Sequence, residues 1–381
     1  MYLAYVLAGC NMTAYKSSNI ALSLYAIKLG ASPFTIGTLV SMYAVLPMLL
    51  ALSAGKVSDR FGTWRPMLLG SIGVAAGLLL PYFVRHLAAL YASSAMMGGS
   101  FVFYNVAVQN MLGAASGERD RAATFSSYGL VIAAANFVGP LATGYSIDHL
   151  GHPSTYLVLA VLPMCTVLLL GAAARMIPTR APGSERRQGG RTIELLRNAP
   201  FRRVLITSGV VLTGTDLFTF YMPIHGHGIG LSATAIGAIL STYAAAALTV
   251  RSLIPRLIHR LGEERLLTLA LALASVTYLG FPFLGHAVPL AAAAFVLGLG
   301  LGCGQPLSML LTYNRAPAGR SGEALGMRLT VNNFTHVIVP LLFGLIGSSF
   351  GLVPVFWLNA AMLAGGGTLN LIGFSAGKRT R

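Results

Sequence analysis

The chain has 381 residues, 55% of them hydrophobic and only 9% charged, with a mean hydropathy of +0.72. A soluble domain carries about 25% charged residues, so the balance excludes a soluble enzyme and predicts an all-α multi-pass membrane protein. The net charge of +16 raises the question of a nucleic-acid partner, but its distribution along the chain argues for topology instead.

Crossing a bilayer takes about 20 apolar residues per helix. Apolar runs fall at 3–28, 35–54, 66–84, 87–112, 122–147 and 154–174, and again at 204–224, 233–252, 266–284, 288–313, 327–349 and 353–375. These predict twelve transmembrane helices. The first run carries no A-x-A-like cleavage site and reads as a retained span. When sides alternate through the spans, all of the 26 Lys and Arg except Lys16, Lys28 and Arg85 fall on one face. Basic residues mark cytoplasmic loops, so both termini are placed inside and no nucleic acid is expected. Cys10, Cys165 and Cys303 lie far apart in apolar runs and fit neither a disulfide framework nor a zinc spacing.

Between the two sets lies RMIPTRAPGSERRQGGRTIELLRNAPFRR, a hydrophilic stretch rich in Arg, Pro and Gly. It reads as a solvated cytoplasmic linker, suited to anionic lipid headgroups. The predicted organisation is therefore a six-helix bundle over 1–174, a linker over 175–203 and a second bundle over 204–381.

The two halves repeat. LGASPFTIGTLVSMYA (29–44) aligns with IGLSATAIGAILSTYA (229–244), with identities at Gly30/Gly230, Ser32/Ser232, Ile36/Ile236, Gly37/Gly237, Ser41/Ser241, Tyr43/Tyr243 and Ala44/Ala244. The same register, without gaps, pairs Arg60 with Arg260, Gly62 with Gly262, Pro140 with Pro340 and Gly151 with Gly351. Two similar six-helix halves in parallel orientation predict a transporter with its site between them.

GKVSDRFGTWR (55–65), between spans two and three, resembles the Gly-x-x-x-Asp-Arg-x-Gly loop of the major facilitator superfamily. Gly55, Asp59, Arg60, Gly62 and Arg65 match, and PRLIHRLGEER (255–265) is a degenerate second copy with His259 in place of the aspartate. The resemblance covers essentially the whole chain. It implies the major facilitator fold, two pseudo-symmetric six-helix bundles, and alternating access. It also implies that Asp59 and Arg60 belong to a cytoplasmic gate, with Arg119, Arg121, Arg320 and Glu323 of GERDRA and GRSGEA as partners. NFVGPLATG (136–144) is similar to the Gly-Pro stretch of proton-coupled exporters in the superfamily, although a proline kink with small packing residues accounts for it equally. Span four, LAALYASSAMMGGS, lacks the arginine that drug-proton antiporters usually carry, which turns the expectation away from a standard drug-antiport mechanism.

In this family the first and fourth helix of each half line the cavity. That implies substrate contacts from Tyr15, Lys16 and Asn19 in span one, and from Tyr104, Asn105 and Gln109 in span four. Asp216 in span seven and Gln305 in span ten join them. Lys16 and Asp216 occupy pseudo-equivalent positions, expected to face each other across the cavity. A charge at mid-membrane costs about 2.5–3.5 kcal/mol on insertion scales, so such residues face a bundle interior and pair. Of the ten Asp and Glu, only Asp216 falls deep in a span, which makes it the leading proton carrier; the alternative is a static ion pair with Lys16. His336 in span eleven is a second candidate proton site.

Other patterns are weaker. HGHG (225–228) places two histidines in an external loop without a third ligand, so no metal is expected. GSSFG (347–351) matches a nucleophile elbow by letter but not by context, and no phosphate-binding loop or cofactor site is present. The chain is thus read as a secondary transporter and not an enzyme: a monomer in the inner or plasma membrane, exporting a small anionic or zwitterionic solute coupled to protons. The alternatives are a proton-coupled importer or uniporter of organic acids, sugars or amino-acid-like solutes, and a receptor-like member that moves nothing.

Overall fold

The computed structural model describes residues 2–115, 121–173, 199–315 and 321–379, and among these it contains helices and no strand. The described residues form twelve α-helices in chain order: α1 Tyr2–Lys28, α2 Pro33–Phe61, α3 Trp64–Phe83, α4 Leu87–Ala115, α5 Arg121–Leu150 and α6 His152–Ala172. The second set is α7 Ala199–Gly228, α8 Ala233–Leu261, α9 Glu263–Gly280, α10 Ala287–Arg315, α11 Ser321–Phe350 and α12 Leu352–Arg379. Eleven of them are long and apolar enough to cross a bilayer. The exception is α1, which has the length but carries Asn11, Thr13, Lys16, Ser17, Ser18, Asn19 and Ser23 among its apolar residues.

The sequence repeat is also a repeat of backbone conformation. Positive φ occurs at Gly30 and Gly230, at Gly62 and Gly262, and at Gly151 and Gly351. Each ends a helix where the chain reverses, in a region that side chains with a Cβ avoid. Just after two of these turns, the Ser32 hydroxyl accepts from Thr35 N–H at 3.2 Å, and the Ser232 hydroxyl from Ala235 N–H at 3.2 Å. Both serines cap the helix that follows. One correction concerns HGHG, read as an external loop: it forms the last turn of α7, and His225 is buried, with Nε2 3.3 Å from the Leu284 carbonyl.

The chain divides into two compact units, one comprising the described residues of Met1–Glu185 and Gly226–Ser241, the other those of Arg186–His225 and Thr242–Arg381. In the first, α3 packs on α4 and α6, α2 on α4, and α1 on α5 and α6. In the second, α9 packs on α12 and α10. Small residues let the backbones close up. A Cβ at Gly98 would strike the Tyr43 carbonyl, and one at Gly298 would strike the Tyr243 carbonyl, so the repeat extends to the helix crossings. The glycines of GLGLGCG serve the same end, with Gly300 against Ala270 and Gly302 against Ala247.

The Gly-Pro stretch of α5 is a packing surface on both sides. Gly139 leaves room for the Ser17 hydroxyl of α1, and Gly144 for the Ala233 carbonyl at the start of α8. Ser241 donates to the Phe137 carbonyl at 2.6 Å. Large apolar side chains such as Leu130, Leu168 and Val276 point outward, as expected of surfaces that meet lipid rather than water.

Candidate functional site

In the C-terminal unit, α7 and α11 bring together two residues that the sequence nominated separately. His336 Nδ1 lies 2.7 Å from Asp216 Oδ2. The imidazole is 43% exposed and the carboxylate side chain 17%. With Asp216 ionised, Nδ1–H donates to the carboxylate; with Asp216 protonated, the same nitrogen accepts. The pair can therefore hold a proton on either partner. The helix around Asp216 is pinned by its neighbours. Tyr278 donates to the Gly214 carbonyl at 2.6 Å, and Tyr243 reaches the Thr215 hydroxyl at 3.3 Å while its ring packs 4.7 Å from Phe218.

A second polar cluster joins α10 and α11. Arg328, only 6% exposed, donates through Nη2 to Gln305 Oε1 at 2.6 Å and to Ser308 Oγ at 2.9 Å. It also reaches the Gln305 carbonyl at 3.2 Å. Ser308 continues to Ser208 on α7 at 3.4 Å, and Ser208 donates to Asn332 at 3.2 Å. The pseudo-equivalent positions of the N-terminal unit make the same link with neutral groups, since Tyr128 of α5 donates to Asn105 of α4 at 2.7 Å. Sequence reasoning missed Arg328, because its place at the end of an apolar run sorts it with the cytoplasmic bases. Only its partners reveal that it turns inward.

In the N-terminal unit, the Tyr15 ring lies flat on Phe101, with centroids 3.9 Å apart and planes at 10°. Its hydroxyl reaches the Tyr43 carbonyl at 3.3 Å, and the Tyr43 hydroxyl returns to Ser18 at 3.0 Å. Lys16 and Asn19 are half-buried on the same helix, and Gln109 is exposed. Tyr104 is buried in the bundle, next to Gly70. Phe101 and Tyr43, which complete this aromatic corner, were not among the sequence candidates, since an apolar or aromatic residue in a span looks like any other.

Of the residues expected to form a cytoplasmic gate, Arg119 and Arg320 lie outside the described residues, as do the side chains of Asp59, Arg121 and Glu323. Arg60 is exposed, with its guanidinium carbon 5.3 Å from the Phe61 ring centre. The degenerate copy in the second half contributes contacts of its own. Glu264 pairs with Arg315, and Glu263 accepts from Asn314 at 3.1 Å, tying α9 to the end of α10. Among the described residues, no group of three His, Cys, Asp or Glu is arranged to hold a metal ion.

Comparison with known proteins agrees with this architecture. A family model described as the Major Facilitator Superfamily matches residues 2–338. The tetracycline resistance protein, class H, of Pasteurella multocida is 22% identical over 338 residues, covering 86% of this chain and 83% of that protein. The multidrug resistance protein MdtG of Dickeya zeae is 24% identical over 385 residues, covering 95% and 91%. Among solved structures, a peptide transporter POT mutant superposes with a TM-score of 0.83 at 15% identity, covering 99% of this chain and 94% of that one. That last likeness speaks to the fold alone.

Proposed function

We propose, from the premise that this chain belongs to the major facilitator superfamily and is a multi-pass membrane transporter rather than an enzyme, that it exports a small anionic or zwitterionic solute in exchange for protons. The observation that carries this reading is the Asp216–His336 contact at 2.7 Å. A carboxylate held in a span is expensive unless it is paired or functional. Here its partner is the one side chain whose ordinary titration falls near neutrality. His336 is the more exposed partner and Asp216 the more sheltered one.

Lys16 supplies a cation for the solute's negative group, and the Tyr15–Phe101 stack supplies a flat apolar surface beside it. The polar groups of Asn19, Asn105, Gln109 and Gln305 complete the recognition set, whereas Tyr104, expected among them, is buried within its bundle. Export as the direction is supported by the resistance proteins among the relatives and by the Gly-Pro stretch of α5. Asp59 and Arg60, with Arg119, Arg121, Arg320 and Glu323, form the cytoplasmic gate. The protein works as a monomer in the inner or plasma membrane with both termini cytoplasmic.

The test is flux in proteoliposomes carrying a trapped pH indicator, with an imposed pH gradient and a panel of small carboxylates and amino-acid-like solutes. Solute-dependent proton movement should be lost in Asp216→Asn and strongly reduced in His336→Asn, while solute exchange without a gradient persists. Solute movement indifferent to pH in the wild type would sink proton coupling and leave a uniporter. Proton and solute moving in the same direction would make it an importer.

A further inference from the structure

We infer that the C-terminal unit contains a carboxylate-binding site, formed by Arg328 and Gln305 at the junction of α10 and α11. This deepens the proposal above, and it rests on that reading only in taking the bound anion to be the cargo.

Three observations lead to it. First, Arg328 is 6% exposed, and its contacts among the described residues are all to neutral acceptors: the Gln305 side chain and carbonyl, and the Ser308 hydroxyl. No described carboxylate forms an ion pair with it. A buried guanidinium in that position keeps a positive charge that its surroundings solvate but do not balance. Within these contacts Nε and Nη2 are used, and Nη1 takes no part.

Second, Gln305 accepts through Oε1 from a group that has only donors to give, which fixes the orientation of its amide. Its Nε2 is then a donor too, and it is buried without a partner. A buried donor left unmade costs about 1–3 kcal/mol. The site thus presents a cation and an unsatisfied neutral donor side by side, with no described anion to balance the first and no acceptor for the second.

Third, the internal repeat shows that helix packing does not require the charge. In the N-terminal unit the pseudo-equivalent positions are joined by Tyr128 and Asn105, a neutral pair at 2.7 Å. The C-terminal unit makes the same interhelix link with an arginine, at the cost of burying a cation. A carboxylate meets both needs: one oxygen accepts from the guanidinium and the other from the Gln305 amide, in charge-assisted bonds stronger than neutral ones.

The experiment titrates the purified full-length protein in detergent with sodium acetate, propionate and benzoate, following thermal stabilisation against sodium chloride at matched ionic strength. Wild type should saturate with at least one carboxylate. Arg328→Gln should abolish the response, Arg328→Lys should weaken it, and Gln305→Leu should weaken it about tenfold, as loss of one such bond implies. Should Arg328→Gln fail to fold, Arg328→Lys and Gln305→Leu carry the test. Lys16→Ala separates this inference from the broader one. A carboxylate response lost in Lys16→Ala and retained in Arg328→Gln and Gln305→Leu overturns the site while leaving anion transport standing. Saturation by chloride with carboxylates inert overturns it as well, as does the absence of any saturable carboxylate response in the wild type.

Discussion

The His336 imidazole and the Asp216 carboxylate meet at 2.7 Å, joining α11 to α7 across 120 residues of sequence within one bundle. The contact has a thermodynamic consequence independent of transport. Removing either partner leaves the other polar group without its bond, so Asp216→Ala and His336→Ala should each destabilise the protein. The double variant should cost less than their sum by roughly 0.5–3 kcal/mol. Denaturant titration of the four proteins in detergent measures this coupling, and strict additivity would show that the pair does not interact.

The aromatic corner of the N-terminal unit gives a graded prediction. Phe101 is 7% exposed and supplies the face on which Tyr15 lies, so Phe101→Ala should destabilise by about 3–5 kcal/mol. Tyr15→Phe keeps the stack and loses only a hydroxyl bond to the Tyr43 carbonyl, at a cost of about 0.5–1.5 kcal/mol. The same unfolding assay ranks them, and equal losses would rule out the stack as the main contribution.

The turn glycines should behave as matched pairs. Gly30 and Gly230 both sit at φ 80, with open space where a methyl group would go, so alanine at either position meets only the backbone penalty of about 1–2 kcal/mol. Gly98→Ala and Gly298→Ala differ in kind, because the new methyl meets a carbonyl of α2 or α8 and must push a helix away. Expression and melting temperature should fall further for the second pair than for the first. The reverse order would contradict the close crossings.

Asp148 at the end of α5 accepts from Ala233 N–H at 3.0 Å and Thr234 N–H at 2.8 Å, capping α8 from a neighbouring helix. A carboxylate at a helix N-terminus stabilises both through the hydrogen bonds and through the helix dipole. Asp148→Ala should therefore cost about 1–2 kcal/mol and Asp148→Asn less, since the amide oxygen still accepts. Hydrogen exchange at the first turn of α8 should rise in the same order. Unchanged protection in Asp148→Ala would mean that the cap does not hold that turn.

Much of this protein was legible before any coordinates, because membrane spans and their turns are local properties. Twenty apolar residues in water have few options, and a glycine that repeats at the same register of both halves marks a reversal that a Cβ would strain. Gly30/Gly230, Gly62/Gly262 and Gly151/Gly351 all turned out to adopt positive φ. Run 3–28 reads as a span in the sequence, yet α1 is the least clear-cut of the twelve helices, since the polar residues that make it interesting also lower its apolarity.

What the sequence determined by itself was the family, the helical architecture, and that Asp216 and His336 are costly residues in need of a reason. Tertiary structure alone decided how such residues are paired. Which side chain meets Asp216 depends on how α7 and α11 are rotated and offset, and no periodicity reports that. Arg328 makes the point most sharply: a cation at the edge of a span can reach out to headgroups or turn inward. The choice is made by the acceptors that α10 places around it, Gln305 and Ser308, which helix packing brings against α11.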